Sequence, residues 1–304
     1  MNSTYHPGIH KFSLFIVAWT IVLLTAGALV TSEDAALAVP DWPLSYGSIT
    51  PPMVGGIAYE HTHRVIAAGL GVLIIILTAL LWRKQDRPWL KWLGLAALGG
   101  VIFQGILGGL TVLQLLHYWL PVMHACAAQL EFAILVSIAV FTSRWWSESR
   151  AQYEDRGSPS IRAIAVINAS LVFAQVLVGA GFRHRYMSLK PHVIGAFVVI
   201  ASVTVTAAIL RRRFSDVAEF TRARKILHSI VGIQFLLGLL ALWSRISTAD
   251  APQPMPFMVA STVVHTVVGA VLFATSIALV LVCYRLVPQG REVASTISDR
   301  VPAQ

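Results

Sequence analysis

Charge is what this sequence has least of. Of its 304 residues, 12% are Asp, Glu, Lys or Arg, while 56% are hydrophobic, and the mean hydropathy is +0.71. A soluble chain carries about twice that charged fraction. Cysteine is nearly absent: Cys126 and Cys283 are the only two. They fall near opposite ends of apolar runs, which excludes a disulfide between them, and both read as small buried apolar residues. There is no CxxCH motif, so any haem is held non-covalently. No apolar run alternates with period two, which argues against a β-barrel. No small-residue cleavage site follows the first run, which therefore reads as a retained helix and not a signal peptide. An Arg-rich, acid-poor leader is missing as well, which favours a bacterial plasma (inner) membrane over an organelle.

What is present is length in the apolar runs. Eight are long enough to span a bilayer, which takes roughly 20 residues: 12–31, 63–82, 92–113, 121–143, 161–182, 191–210, 225–245 and 257–285. Inside lipid the backbone satisfies itself here only as helix. The expected fold is an all-α polytopic membrane protein of eight transmembrane helices. The net charge of +9 is distributed unevenly. With both termini and the connections after even runs on one side, that side holds 18 of the 23 Lys and Arg. The positive-inside rule then puts both termini in the cytoplasm. Topology accounts for the basic excess, and no nucleic-acid partner is needed to explain it.

The sequence repeats itself once. Gln104 to Gly108 of run 3 answers Gln234 to Gly238 of run 7. Val122-x-His124 with Phe132-Ala133 answers Val263-x-His265 with Phe273-Ala274. The start of run 2 at His63 answers run 6 at His192. Runs 1–4 and 5–8 are therefore expected to form two pseudo-symmetric four-helix bundles, related about an axis along the membrane normal. The expected division is 1–143 for the first half, 144–160 for a polar cytoplasmic linker with the interfacial pair Trp145-Trp146, and 161–304 for the other half and a polar tail. The longest outer connection, Ser32 to Tyr59, carries the rigid, aromatic stretch Val39 to Gly47.

Four histidines sit near the starts of alternate runs: His63, His124, His192 and His265. Alternate helices point the same way, so all four lie toward one membrane face, the outer one. Ionisable groups inside a bilayer are costly and usually functional. A neutral imidazole is a good iron ligand, and facing bundle helices are where such sites are built. The reading is two haem sites, one held by His63 and His124, the other by His192 and His265. Zinc is the rival ligand, but it takes about four close donors. Single membrane histidines otherwise bond a neighbouring helix.

Glu60 lies three residues before His63 and shares its helical face. A carboxylate there is placed to accept a proton or to stabilise developing positive charge; its bland alternative is a helix-start acid. Leu189 stands at the same offset from His192. The N-terminal half therefore reads as the catalytic one, and the C-terminal half as an electron-transfer site. Glu131, two turns beyond His124, belongs either to a proton path or to a bond with a polar group such as Gln104. Arg64, Arg183, Arg185 and Lys190 gather at the outer face, as propionate partners or as snorkelling cations. His117 and His184 fall in outer connections. His61 faces away from His63, His228 is interfacial, and His6 and His10 carry no signal. A cysteine placed at Ser45 is expected to be open to a thiol probe from the outer side.

Together these residues resemble the heme A synthase family. The stretch Glu60-His61-Thr62-His63-Arg64 is similar to its E-x-x-H-R element, and Asp41-Trp42-Pro43-Leu44 to its first outer loop. Gln104 to Gly109 and the contexts of His124, His192 and His265 also fit, over nearly all of residues 12–285. The resemblance implies oxidation of the C8 methyl of heme O to the formyl group of heme A, for terminal oxidases. It implies heme O and product heme A at His63/His124, Glu60 beside the reacting methyl, and a b-type haem, heme b, at His192/His265. The partners it implies are heme O synthase, terminal-oxidase assembly factors and membrane lipids, with a homo-oligomer left open. Many bacterial members carry a cysteine pair where this chain has Val39 and Ser45, so a loop disulfide does not operate here. Two other classes stay open: a diheme b-type membrane cytochrome passing electrons between quinol and a partner, and a transporter with a repeat-built cavity.

Overall fold

Apolar runs of membrane-spanning length become long helices, because only intrahelical hydrogen bonds satisfy the backbone in lipid. A computed structural model describes residues 5–117 and 119–288 of the chain. Its helices are α1 (Pro7–Ser32), α2 (Gly55–Lys84), α3 (Pro88–Leu113), α4 (Leu120–Phe141), the short α5 (Arg144–Ser147), α6 (Ile161–Arg183), α7 (Leu189–Arg213), α8 (Ala218–Ser247) and α9 (Pro256–Leu286). All except α5 are long and apolar enough to cross a membrane. Among the described residues there is no strand, only an isolated bridge between Ser45 and Ser48. The chain is a multi-pass membrane protein, with eight helices of spanning length among the described residues. The polar tail beyond Pro288 lies outside the described residues.

The helices exceed the runs that announce them. α2 begins eight residues before His63 and α8 seven before Lys225, because a helix continues past the bilayer where hydropathy has already fallen. His63 is thus two turns inside its helix, whereas His192 is in the first turn of α7.

Helix neighbours run α1–α2–α3–α4 and back to α1, then α6–α7–α8–α9 and back to α6. The seam is made by α1 and α4 against α9, with α4 also touching α6. One buried cluster gathers Ile16, Leu70, Ile74, Leu77, Leu90 and Ile138. Another gathers Ile161, Val203, Leu210, Phe220, Leu227 and Leu279. The two Phe-Ala pairs of the repeat are used reciprocally at the seam. Phe132 shares a cluster with Ala270 and Ala274, while Phe273 shares one with Ala133. A large residue on one side meets small ones on the other, which lets the helices approach closely.

Polar contacts strengthen the seam. In the last turn of α6, Arg183 donates to the carbonyl of Ala28 (2.7 Å) and the hydroxyl of Ser32 (2.8 Å) on α1. Its expected place at the outer face therefore acquires a definite partner. Hydrogen bonds from a charged group contribute roughly 1.5–3 kcal/mol each. Arg183→Gln is expected to destabilise the fold by about 3 kcal/mol, read as a lowered unfolding midpoint in detergent. An unchanged midpoint would remove Arg183 from the seam.

The linker is strapped down more than its polarity suggests. Tyr153 N–H donates to the carbonyl of Leu286 at the end of α9 (2.8 Å). Asp155 accepts from Arg213 (3.2 Å) at the end of α7 and from the N–H of Ile161 (2.5 Å) at the start of α6. A paired acid thus ties the linker to two spanning helices.

Candidate functional site

Each of the four imidazoles packs against a glycine on the preceding helix. A Cβ added at Gly27 of α1 would lie 3.0 Å from Cε1 of His63, and at Gly108 of α3 3.4 Å from Cε1 of His124. At Gly179 of α6 it would lie 2.9 Å from Cε1 of His192, and at Gly238 of α8 3.1 Å from that of His265. Any side chain at the three tighter positions pushes on the ring or the helix. The glycines set the depth at which each imidazole lies between two helices.

One turn before three of these glycines stands a glutamine, and that spacing puts both on one helical face. Gln104 donates to the carbonyl of His124 (3.2 Å). Gln175 donates to the carbonyl of His192 (2.8 Å) and places the same nitrogen 3.1 Å from its Nδ1. Gln234 brings its amide nitrogen within 3.4 Å of Nε2 of His265. In α1 the matching position is Leu23, so His63 has no such glutamine. Partners that fix a ring's rotation are as much a part of a ligand site as the ring itself.

In the C-terminal half, the rings of His192 and His265 face each other with centroids 6.1 Å apart and planes at 85°. Two imidazole–metal bonds of about 2 Å fit between facing ring edges at that separation. Phe182 stacks on His192 at 6.4 Å and 13°, with the Arg245 guanidinium 5.3 Å above Phe182. In the N-terminal half, His63 lies against Gly27 and His124 against Gly108 in the same manner. Nδ1 of His63, of His124 and of His265 is buried with no hydrogen-bond partner among the described residues. Among the described residues no three His, Cys, Asp or Glu side chains gather. His192 and His265 form a pair, a donor number that fits a haem iron better than a four-donor zinc site.

Glu60 is buried and fully engaged. Its Oε2 accepts from the N–H of Val39 (2.9 Å), and its Oε1 is bonded to Arg64, one turn further along α2. The Arg64 fork also donates to the carbonyls of Asp41 (2.7 Å), Leu44 (2.6 Å) and Val39 (3.3 Å). The Glu60–Arg64 pair thus clamps residues 39–44 onto α2. Asp41 closes the next turn by accepting from the N–H groups of Tyr46 (2.7 Å) and Gly47 (2.8 Å), both with positive φ. Those two donors hold its carboxyl below the usual range. Trp42 lies over Gly109 of α3, where a Cβ would come within 2.8 Å of the indole. Gly109 adjoins Gly108, the residue behind His124. The loop is therefore a roof tied to α2 by ion pair and to α3 by tryptophan.

Several sequence expectations change here. Ser45 is 1% exposed and hydrogen-bonded to Nδ1 of His61 (2.9 Å), so it is not open to a probe. Its polarity suggests a surface position, but the clamp draws the loop inward. Val39 is likewise fully buried. Glu131 makes no bond to Gln104. Both its oxygens are buried and without a hydrogen-bond partner among the described residues, and the carboxyl lies against Gly100. Arg64 is committed to the loop and to Glu60. His184 is not a freely solvated residue: at the end of α6 burial, then Arg183 and His124, lower its imidazole to about 4. Gly108 and Gly238 stand in the sequence repeat without a role assigned to them, and Gly27, Gly179 and Gln175 are not singled out by sequence reasoning. The signal that marks them is Gln-x-x-x-Gly, which recurs in runs 3, 5 and 7.

The fold and site define a polytopic helical membrane protein that presents paired imidazoles between facing helices. The chain matches the COX15-CtaA family, described as cytochrome oxidase assembly protein, over residues 55–296. It belongs to that family. Among curated relatives, the heme A synthase of Shouchella clausii (strain KSM-K16) is 24% identical over 189 residues, 60% of this chain and 62% of the relative. That of Shewanella oneidensis (strain MR-1) is 25% identical, covering 57% and 56%. That of Lysinibacillus sphaericus (strain C3-41) is 31% identical over 42% and 44%. The chain thus spans less than two thirds of the length of these relatives. Eight apolar helices and bacterial relatives fit a multi-pass plasma-membrane protein.

Proposed function

We propose that this protein is a heme A synthase, an oxidoreductase that converts the C8 methyl of heme O to the formyl group of heme A. The observation that carries the reading is the paired, glycine-backed imidazoles with a clamped acid on one side only. His63 and His124 hold the substrate haem in a first half, residues 1–143. His192 and His265 hold heme b in the other half, residues 161–304. The relatives named as heme A synthases support the assignment. Heme b, when bound, supplies one-electron redox chemistry.

The protein's own groups prepare the substrate site. The roof of residues 39–47, held by Glu60 and Arg64, covers the edge of the substrate site. Glu60 brings the negative charge nearest in sequence to ligand His63. Oxidation of a methyl carbon, with an external acceptor taking two electrons at each stage, leaves positive charge there, which a fixed carboxylate stabilises until water adds to give the hydroxymethyl group. Because Val39 and Ser45 replace a cysteine pair, no loop thiol takes part in electron removal. Heme O synthase and terminal-oxidase assembly factors are the partners such a step calls for.

Extraction of non-covalently bound haem from the purified protein tests the reading. Heme b together with heme O or heme A is expected; heme b alone at full occupancy of both sites would favour a diheme electron carrier.

With both termini cytoplasmic, the roof faces the outer side. Ile49, 77% exposed, replaces Ser45 as the reporter. A cysteine at position 49 is expected to react with a membrane-impermeant maleimide in intact cells, and one at position 45 at least tenfold less, about the ratio that burial imposes on a thiol. Labelling at 49 only after permeabilisation reverses the topology.

A further inference from the structure

A separate constellation lies at the opposite end of the helices from the four histidines. There α3, the end of α4, α5 and α9 leave an apolar cleft of about 430 Å³ lined by Trp89, Phe141, Trp146, Val280, Leu281 and Tyr284. It sits across the seam, because α3, α4 and α5 belong to the N-terminal ring of helices and α9 to the C-terminal ring. Phe141 forms its floor, with Trp89 edge-on at 4.7 Å on one side and Trp146 edge-on at 4.6 Å on the other. Trp89 and Tyr284 are about half exposed.

Every polar-ended aromatic in this lining carries an arginine on its face. Arg87 lies 5.4 Å over Trp89, Arg285 5.4 Å over Trp146, and Arg162 4.6 Å over Tyr284. None of the three is in an ion pair among the described residues, whereas Arg144, Arg150, Arg156 and Arg213 all are. Each also keeps a buried N–H with no hydrogen-bond partner among the described residues: Nε in all three, and Nη1 in Arg87. Burial, and next the charge of Arg285, lower Arg87 from its ordinary value, with Asp86 acting weakly in the opposite sense. Each arginine spends Nη2 on a protein oxygen, of Gln85, Tyr284 or Trp146 and Glu148, and three cations with a donor left over beside an apolar slot are complementary to an anion that carries a hydrocarbon chain.

We infer that this cleft is a binding site for one anionic phospholipid, its acyl chain along Phe141 and Leu281 and its phosphate among Arg87, Arg162 and Arg285. The arginines lie on the face that bears the basic connections, where anionic headgroups meet juxtamembrane Lys and Arg. A lipid so held bridges α3 and α9 and closes the seam at the end remote from Arg183.

The test is native mass spectrometry of the full chain, equilibrated in detergent with equal amounts of dioleoyl phosphatidylglycerol and dioleoyl phosphatidylcholine. One phosphatidylglycerol should be retained in preference to phosphatidylcholine. The pair Arg87→Gln/Arg285→Gln should lower that retention about twenty-five-fold, near five-fold per arginine. The pair Arg211→Gln/Arg212→Gln, which removes two exposed cations of the same face away from the cleft, should change it by less than about two-fold on the same scale. Equal loss in both pairs would mean diffuse surface attraction and would overturn the site. So would equal retention of the two lipids, or displacement of the lipid by inorganic phosphate, which marks a free-anion site. Should the cleft pair fail to fold, the unmodified chain decides: phosphatidylglycerol brominated on its acyl chain must quench tryptophan emission more than brominated phosphatidylcholine at equal mole fraction. Equal quenching overturns the inference.

Discussion

Glu60→Gln is expected to cut heme A formation about a hundred-fold, the usual effect of removing one preorganised electrostatic group from a reacting centre, while both haem sites stay occupied. The substituted side chain keeps its shape and can still accept from Val39 N–H, so the roof of residues 39–47 retains one of its anchors. What it loses is the negative charge beside the substrate and the ion pair with Arg64. Heme O or its hydroxymethyl intermediate should accumulate. Glu60 also has a purely structural task, and Arg64→Lys separates the two. Lysine keeps the charge but lacks the fork that reaches three loop carbonyls. If Glu60 acts only by holding the roof, Arg64→Lys costs as much as Glu60→Gln. If its charge serves the reaction, Glu60→Gln is the more damaging by an order of magnitude, about the range a single electrostatic contact spans. Chromatography of extracted haems from both variants provides the comparison.

His192→Ala or His265→Ala should abolish the low-spin b-type absorption spectrum. Two imidazoles facing each other at 6.1 Å have, among the described residues, no third His, Cys, Asp or Glu gathered with them to take over. The same geometry makes a subtler outcome measurable. Gly179→Val places a branched carbon where even a Cβ lies 2.9 Å from His192 Cε1. Gln175, one turn earlier on the same face of α6, donates to the backbone carbonyl of His192 and lies against the ring at Nδ1. The imidazole cannot yield without losing that contact, so retained heme b should fall several-fold in Gly179→Val, while haem at His63/His124 is kept. Gly232, which has open space around it, serves as the control. Spectra of both alanine variants identical to the unmodified protein would dismiss the pair as iron ligands.

Much of this architecture is legible in the sequence, for physical reasons that differ from feature to feature. Eight spans can be read because the bilayer sets a length that hydropathy reports directly. Four histidines at alternate helix starts can be read because charge in lipid is rare enough to stand out. The glycines behind the imidazoles cannot. A glycine is one of 21 in the chain, and what it accommodates is decided by the facing helix. Gln175 is hidden for the same reason, although its spacing to Gly179 repeats that of Gln104 to Gly108. The roof misleads in the opposite direction. Ser45 is a polar residue in a loop, and polarity suggests exposure, yet the loop that an i,i+4 ion pair and three carbonyl bonds hold to α2 carries it inward. Glu131 shows what spacing alone leaves undecided: two helical turns put it below His124, but its carboxyl turns to Gly100 and not to Gln104.

The central claim is that this protein makes heme A. The most direct measurement is the haem content of membranes from a host that makes heme O and lacks its own heme A synthase, after expression of the unmodified chain. The account predicts that heme A appears and heme O declines in step. A membrane-inserted protein with its b-type spectrum intact, heme O unchanged and no heme A would contradict it, and would leave a diheme electron carrier in its place.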